Sequence, residues 1–195
     1  MNLPEKVGMD AMEMLLTRES ALKLQDPAPT ESALEAILAT AARAPDHGRL
    51  RPWLFVVIRG EARERFGEVM ADSLKARKPD ATPEMLARER AKALRAPVIV
   101  AVAACVQRGA KIMEIEQILS AGAAAQNIML AAHALGYGSQ WKTGDPAYDT
   151  SVKEALGLQA SDAIVGFMYL GTRVPGEAPA ARPDAQDYVV EWTGQ

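Results

Sequence analysis

The sequence predicts an α+β fold in which helices wrap a small central sheet. Three nearly continuous apolar runs, at Trp53–Ile58, Pro97–Cys105 and Ala163–Leu170, predict strands that are buried on both faces. Segments with helical spacing separate these runs, and residues 112–136 form the longest of them. The chain has 195 residues, of which 49% are hydrophobic and 24% are charged. This length and composition suit one globular domain over residues 1–195.

The first two helices are predicted from apolar spacing and from the residues that flank them. The first helix covers residues 9–17, where three apolar side chains share one face: Met12, Leu15 and Leu16. The second helix extends to about Arg43, because Ala44-Pro45 ends it. Pro27, Pro29 and Thr30 mark a break and the start of the second helix, and Ser32 with Glu35 has the spacing of a capping box.

Four more helices are predicted, and two of these helices end at glycines. We expect a charged amphipathic helix over residues 61–77, a shorter one over 84–94, the long Ala-rich helix, and a short helix over 151–156. Gly136-Tyr137-Gly138 ends the long helix, and Gly157 closes the short one. The Pro-rich segment after Arg173 predicts an extended surface tail, in which Tyr188-Val189-Val190 could add an edge strand.

Charge and composition exclude several classes of protein. The 22 basic and 25 acidic residues give a formal net charge of −3, which argues against a general nucleic-acid-binding protein. Cys105 is the only cysteine, so an intramolecular disulfide framework is impossible. The N-terminal residues lack the apolar core of a signal peptide, and the uncharged stretch 119–142 suits a buried helix better than a membrane span. We therefore expect a cytoplasmic protein without a membrane segment.

Metal and dinucleotide motifs are also missing from the sequence. The potential metal ligands His47, Cys105 and His133 are scattered and have no zinc-site spacing, so we expect no metal site. Gly136-Tyr137-Gly138 begins like a dinucleotide-binding loop. However, it follows a helix rather than a strand, and no third glycine completes the pattern.

One pair of short motifs suggests covalent catalysis. Ser20-Ala21-Leu22-Lys23 has the S-x-x-K pattern, and Lys142-Thr143-Gly144 has the K-T-G pattern of serine β-lactamases and penicillin-binding proteins. No S-D-N triplet lies between them, and Asp145-Pro146 predicts a turn directly after the K-T-G. A serine acyl-transfer enzyme that uses Ser20 and Lys23 is therefore a secondary hypothesis.

A longer set of motifs runs along the chain. The set consists of Arg18-Glu19-Ser20, Ala44-Pro45-Asp46-His47 with Pro52-Trp53, Trp141-Lys142-Thr143-Gly144, and the strand that ends at Leu170-Gly171-Thr172. This set resembles the nitroreductase family, and in particular its small single-domain branch. These motifs occur in the family's order over nearly the whole chain. The resemblance implies a nitroreductase-like fold with a small central mixed sheet and an intertwined homodimer.

The resemblance also implies an FMN-dependent enzyme that oxidises NADH or NADPH and reduces a small molecule such as a nitroaromatic or a quinone. Residues that match the family's FMN-binding positions in one chain are Arg18, Glu19, Ser20, Trp141, Lys142 and Thr143. Arg43 and His47 would reach the same FMN from the partner chain. Residues 131–136 match a stretch linked to nicotinamide binding.

The chemistry of these residue types agrees with that assignment. A guanidinium such as that of Arg18 can bind a phosphate through two hydrogen bonds, and Lys142 can stabilise negative charge on the ring. Flavin carries the redox chemistry itself, so we expect no catalytic residue from the protein. The chain departs from the family pattern at Glu19 and Leu22, and Arg182 is a candidate phosphate ligand in the tail. A flavin-binding protein without significant turnover is the alternative hypothesis.

Overall fold

A computed structural model of the protein describes residues 9–176 and 181–194. Helices alternate with strands along the chain, as expected from the sequence. The helices are α1 Ala11–Thr17, α2 Glu31–Ala41, α3 Ala62–Arg77, α4 Pro83–Ala91, α5 Glu114–Ala134 and α6 Thr150–Ala155. The strands are β1 Leu24–Gln25, β2 Trp53–Arg59, β3 Val98–Ala104, β4 Gly138–Lys142 and β5 Ala163–Arg173.

β5 is the central strand of the sheet. It pairs with β3 along one edge, and with β4 and the short β1 along the other, while β2 lies outside β3. These pairings confirm the predicted α+β class with helices around a small sheet. Each of them is antiparallel, so the sheet formed by the described residues is antiparallel rather than mixed.

The hydrophobic core lies on both faces of this sheet. Successive side chains of β3 alternate between the faces, because a strand has a period of two residues. Val98, Val100 and Val102 pack on the face that α2 and α5 cover. Ile99 and Ala101 pack on the opposite face, with Phe66 of α3. The expectation of strands buried on both faces is confirmed for β3, where all seven residues are buried.

β2 differs from the prediction because it is an edge strand. Only Ile58 among its residues is buried, whereas Leu54 is 39% exposed. An apolar run alone does not distinguish an inner strand from an edge strand, because both kinds carry β-branched and aromatic side chains.

Two further local predictions differ in outcome. The predicted start of α2 at Thr30 is confirmed, because Oγ1 of Thr30 accepts a hydrogen bond from the N–H of Ala33 at 3.2 Å, whereas Ser32 lies inside the helix and is not its cap. The predicted last edge strand was wrong. Tyr188 ends a short 3₁₀ helix, Ala185–Tyr188, and Val189 and Val190 do not form an edge strand.

The long helix α5 lies across one face of the sheet and contains several buried small side chains. It matches the prediction to within two residues at each end, and Gly136 follows it with a φ of 82°. In the part of the chain that the structure describes, no helix combines the length and apolar character that a membrane crossing requires.

Candidate functional site

The structure brings two of the sequence motifs together. After α1 the chain runs alongside β4, and the N–H of Ala21 donates to the carbonyl of Ser139 at 2.9 Å. The N–H of Val174 donates to the carbonyl of Lys23 at 3.3 Å, which joins the same segment to the end of β5. The Arg18-Glu19-Ser20 motif therefore lies at the start of β4, and Trp141-Lys142-Thr143 lies at its end.

Arg18 has a buried nitrogen that lacks a hydrogen-bond partner. Its Nη1 is shielded from solvent, and no acceptor for it exists among the described residues. Burial lowers the pKa of Arg18, and the charge of Arg182 lowers it further, whereas Glu19 acts in the opposite direction. A buried charged donor without an acceptor is costly, so the local structure favours an anion beside Arg18.

Arg182 stands next to Arg18 because it binds the end of α1. Its guanidinium donates from Nη1 to the carbonyl of Arg18 at 2.9 Å and from Nη2 to the carbonyl of Thr17 at 3.1 Å. A cation is favourable there, since the last carbonyls of a helix carry partial negative charge. The tail thus places a second guanidinium, that of Arg182, beside the guanidinium of Arg18.

Glu19 forms an ion pair with a third cation, Arg173. Its Oε1 lies 2.5 Å from Nη2 of Arg173, and its side chain is 15% exposed. This ion pair explains how a carboxylate can stand beside Arg18 in a site that favours an anion. Arg18, Arg173 and Arg182, together with His133, form what we call the arginine cluster.

His133 joins this cluster from the last turn of α5. Its Nε2 lies 2.9 Å from Oγ1 of Thr17, and that hydroxyl donates its own proton to the carbonyl of Glu13 at 2.6 Å. The hydroxyl therefore accepts, and Nε2 of His133 is the donor. Burial lowers the pKa of His133, and the charges of Arg18 and Arg173 lower it further. These effects favour the neutral form of the imidazole.

The side chains of β4 point alternately to the two faces of the sheet. Trp141 packs into the α5 side of the core, and its Nε1 donates to the carbonyl of Val165 at 3.2 Å. Lys142 is opposite Phe167 of β5 and lies on the other face. A ligand at the end of β4 would therefore meet the side chain of Lys142 and the backbone of Trp141.

A cleft follows the outer edge of β4. Its volume is about 430 Å³, and we call it the β4 cleft. It is lined by Leu22, Lys23, Leu24, Gln25, Arg95, Gln140, Lys142 and Val174. The cleft thus lies between the segment that follows Ser20 and the strand that ends at Lys142.

The remaining predicted residues, Arg43 and His47, lie elsewhere in the chain. Both are exposed, and Nδ1 of His47 binds Oε2 of Glu116 at 2.5 Å in the first turn of α5. His133 belongs to the last turn of the same helix. From 116 to 133 there are 17 positions, which corresponds to about 26 Å along a helix. One chain therefore does not place Arg43 and His47 beside the arginine cluster.

Ser20 and Lys23 do not have the geometry of a serine acyl-transfer site. In the S-x-x-K motif, a helical turn places the lysine over the serine. Residues 18–23 lie outside any helix, and their backbone groups bond to the start of β4 and the end of β5. This arrangement removes the geometric basis for the acyl-transfer hypothesis.

The chain is similar to known proteins in family, in sequence and in fold. The model of the nitroreductase family matches residues 15–172. "Putative NAD(P)H nitroreductase YdjA" of Escherichia coli (strain K12) is 42% identical over 164 residues, covering 84% of this chain and 88% of that protein. A Haemophilus influenzae protein with the same description, without the gene name, is 34% identical over 183 residues, covering 93% and 98%.

Solved structures have the same fold. A nitroreductase-like family protein from Bacillus cereus has a TM-score of 0.78 at 23% identity, with full coverage of both chains. A Desulfovibrio desulfuricans structure, described as "a putative nitroreductase in complex with fmn", has a TM-score of 0.69 at 26% identity. It covers 94% of this chain and 97% of the other.

Proposed function

The chain belongs to the nitroreductase family, and on that premise we propose that it is an FMN-dependent oxidoreductase. It takes hydride from NADH or NADPH and passes it to a small electron-poor acceptor such as a nitroaromatic or a quinone. The names of the Escherichia coli and Haemophilus influenzae relatives support the use of NAD(P)H. The FMN in the Desulfovibrio desulfuricans structure supports the cofactor.

The buried Nη1 of Arg18 is the observation that carries this proposal. The phosphate of FMN is a dianion with several acceptor oxygens, and it would supply the hydrogen-bond partner that Nη1 lacks. Arg182 stands close enough to lower the pKa of Arg18, and a phosphate would compensate the repulsion between these two cations. The residues present therefore fit the cofactor's phosphate end.

The β4 cleft suits the remainder of the cofactor. When it is bound, FMN supplies the chemistry of accepting and donating hydride. Lys142 contributes a positive charge to the cleft, which favours negative charge that develops nearby. We expect Trp141 and Thr143 to contact the cofactor mainly through their backbones, because the Trp141 side chain is turned into the core.

The helix geometry supports a homodimer with a shared site. If α5 of each chain runs antiparallel to that of its partner, the partner's His47 can approach His133. The two helices must then cross about midway between residues 116 and 133. That midpoint lies beside Gly122 and Gln126 on a stripe of exposed or half-buried α5 residues: Ile115, Leu119, Gly122, Gln126 and Leu130.

The residues of this stripe are also of the kinds that occur at protein–protein interfaces. Ile115 is 54% exposed and Leu119 is 64% exposed, although both are apolar. A Cβ at Gly122 would meet nothing within 4 Å, so the helix backbone is open to a close neighbour at the expected crossing. On α1, Met12, Leu15 and Leu16 add further exposed apolar area.

The absorbance spectrum of the purified protein tests the proposal. We expect the bands of bound FMN, and we expect NADH or NADPH to bleach them in the absence of oxygen. A protein that takes up no added FMN would contradict the whole proposal. Bound FMN that neither nucleotide bleaches would instead identify a flavin-binding protein without turnover.

A further inference from the structure

A second cavity lies beyond Lys142 and is not needed to hold the cofactor's phosphate. Its volume is about 160 Å³, which is close to the ~150 Å³ that holds one benzene molecule in a protein interior. Its apolar lining residues are Met70, Pro146 and Phe167. Its polar lining residues are Lys92, Arg95, Lys142, Thr143 and Tyr169. It shares Arg95 and Lys142 with the β4 cleft, so the two spaces adjoin.

The positive charge of this cavity is only partly compensated. The buried carboxylate of Glu89 accepts hydrogen bonds from Nζ of Lys92 at 2.8 and 2.6 Å, which neutralises that lysine. Within residues 9–176 and 181–194, the side chains of Arg95 and Lys142 form no hydrogen bond or ion pair. Two cations therefore remain available to an anion that enters the cavity.

Tyr169 adds a neutral donor to these cations. The residue is 4% exposed, and burial raises the pKa of Tyr169 to about 12; Arg95 acts to lower it and Glu89 to raise it. The phenol is therefore protonated at neutral pH. A phenol, a guanidinium and an ammonium that line one small cavity are the groups that bind a carboxylate or phosphate oxygen.

We propose that Arg95, Lys142 and Tyr169 form an oxyanion subsite that binds the carboxylate of a small aromatic acceptor. The apolar residues Met70 and Phe167 would pack against its ring. The assignment to an acceptor rests on the proposed function, because Lys142 and Arg95 place the cavity next to the cleft that suits FMN. A phosphate group of the nicotinamide nucleotide has related chemistry, and the experiments below separate the two sources.

Binding of benzoate tests the subsite without any turnover. We expect the wild-type protein to bind benzoate more tightly than the neutral benzamide in calorimetric titrations. The Arg95→Gln variant should lose about tenfold in benzoate affinity, the effect of one charged hydrogen bond. Arg88→Gln is the matched control, because Arg88 is an exposed arginine of α4 that does not line the cavity. Equal binding of benzoate by both variants would overturn the proposal.

Steady-state kinetics identify the source of the anion. The ratio of kcat/KM for 4-nitrobenzoate to that for its methyl ester should fall about tenfold in Arg95→Gln and stay constant in Arg88→Gln. If Arg95→Gln instead changed the ratio of kcat/KM for NADPH to that for NADH and left the ratio for the two acceptors constant, the anion would be a nucleotide phosphate. That result would overturn the acceptor assignment. Failure of the proposed function would appear separately, as a protein that binds benzoate through Arg95 but takes up no FMN.

Discussion

The N–H of Ala21 donates a hydrogen bond to the carbonyl of Ser139 at 2.9 Å, and this bond joins two segments that are distant in sequence. Through it, the residues that follow α1 lie along the edge strand β4. The bond sets the Arg18-Glu19-Ser20 motif near the start of β4, whereas Lys142 at the end of β4 lines the β4 cleft. In the proposed function, these two places would receive the phosphate and the ring of FMN.

Replacing Arg18 should weaken FMN binding. The Arg18→Ala variant removes a guanidinium whose buried Nη1 lacks an acceptor, and we expect FMN to bind about 1.5–3 kcal/mol more weakly. Quenching of FMN fluorescence during titration measures the change, with Arg88→Ala as a control for the loss of one positive charge. Equal affinities for Arg18→Ala and wild type would show that the phosphate binds elsewhere.

The protonation of His133 should report on the arginine cluster. Burial, Arg18 and Arg173 lower the pKa of His133 from its usual 6.5 in the protein without FMN. A bound phosphate would offset the nearby positive charge, so FMN should raise this pKa. NMR titration of the wild-type protein measures both values, and comparison with a His47→Gln variant assigns the signal of His133, because the chain has two histidines. A pKa that FMN leaves unchanged would contradict a phosphate at the cluster.

The acid limit of folding should depend on Asp149. Burial acts to raise the pKa of Asp149, but hydrogen bonds from Ser151 and from the first N–H groups of α6 outweigh it and lower the pKa from 3.8 to about 2. The carboxylate therefore stabilises the fold by about 2 kcal/mol above pH 4, and this contribution is lost as the pH falls toward 2.

Urea unfolding at several pH values measures this effect. The free energy of unfolding of the wild type should fall between pH 4 and pH 2. Asp149→Asn should be less stable at pH 6 and should show a shallower fall. Parallel curves for the two proteins would show that another group controls acid unfolding.

Gly166 should tolerate no side chain, because Trp141 occupies the space. A Cβ at Gly166 would lie 2.1 Å from Nε1 and 2.6 Å from Cδ1 of Trp141. We expect Gly166→Ala to lower the free energy of unfolding by about 1–3 kcal/mol, as overpacking does. A double-mutant cycle with Trp141→Ala tests the cause. The cost of Gly166→Ala should shrink in that background, and a constant cost would refute the steric explanation.

The sequence predicted the inner part of the fold well. β3, β5 and α5 carry long apolar or Ala-rich runs, because they are buried on more than one side, and such runs are visible without a structure. The first helix was equally clear from its apolar spacing, and Asp10 caps it by accepting from the N–H of Met12 at 2.9 Å.

The outer parts of the fold depend on tertiary contacts that no local pattern shows. β4 has the sequence Gly-Ser-Gln-Trp-Lys, which is a weak strand signal, and it is a strand because it pairs with β5. β2 has a strong apolar run but lies at an edge.

The sequence likewise pointed to only some of the residues of the candidate site. Lys142 lines the β4 cleft, and the Arg18-Glu19-Ser20 motif lies near the start of the same strand. That these residues bind a cofactor stays a prediction. Arg173 and His133 join the arginine cluster through tertiary packing, and only the opposing charge of Glu19 hinted that another cation was needed. Arg95 carries no motif at all, and it became a candidate only because it lines both cavities.

A mixed dimer tests the shared site most directly. One tagged chain would carry Arg18→Ala, and a second, differently tagged chain would carry Arg43→Ala with His47→Ala. If Arg18 of one chain and the other two residues of its partner hold the same FMN, the purified heterodimer has one intact site and one site that lacks all three residues. We predict one FMN per heterodimer bound with wild-type affinity, although both homodimers bind FMN weakly. A heterodimer that binds FMN as weakly as the homodimers would contradict the account.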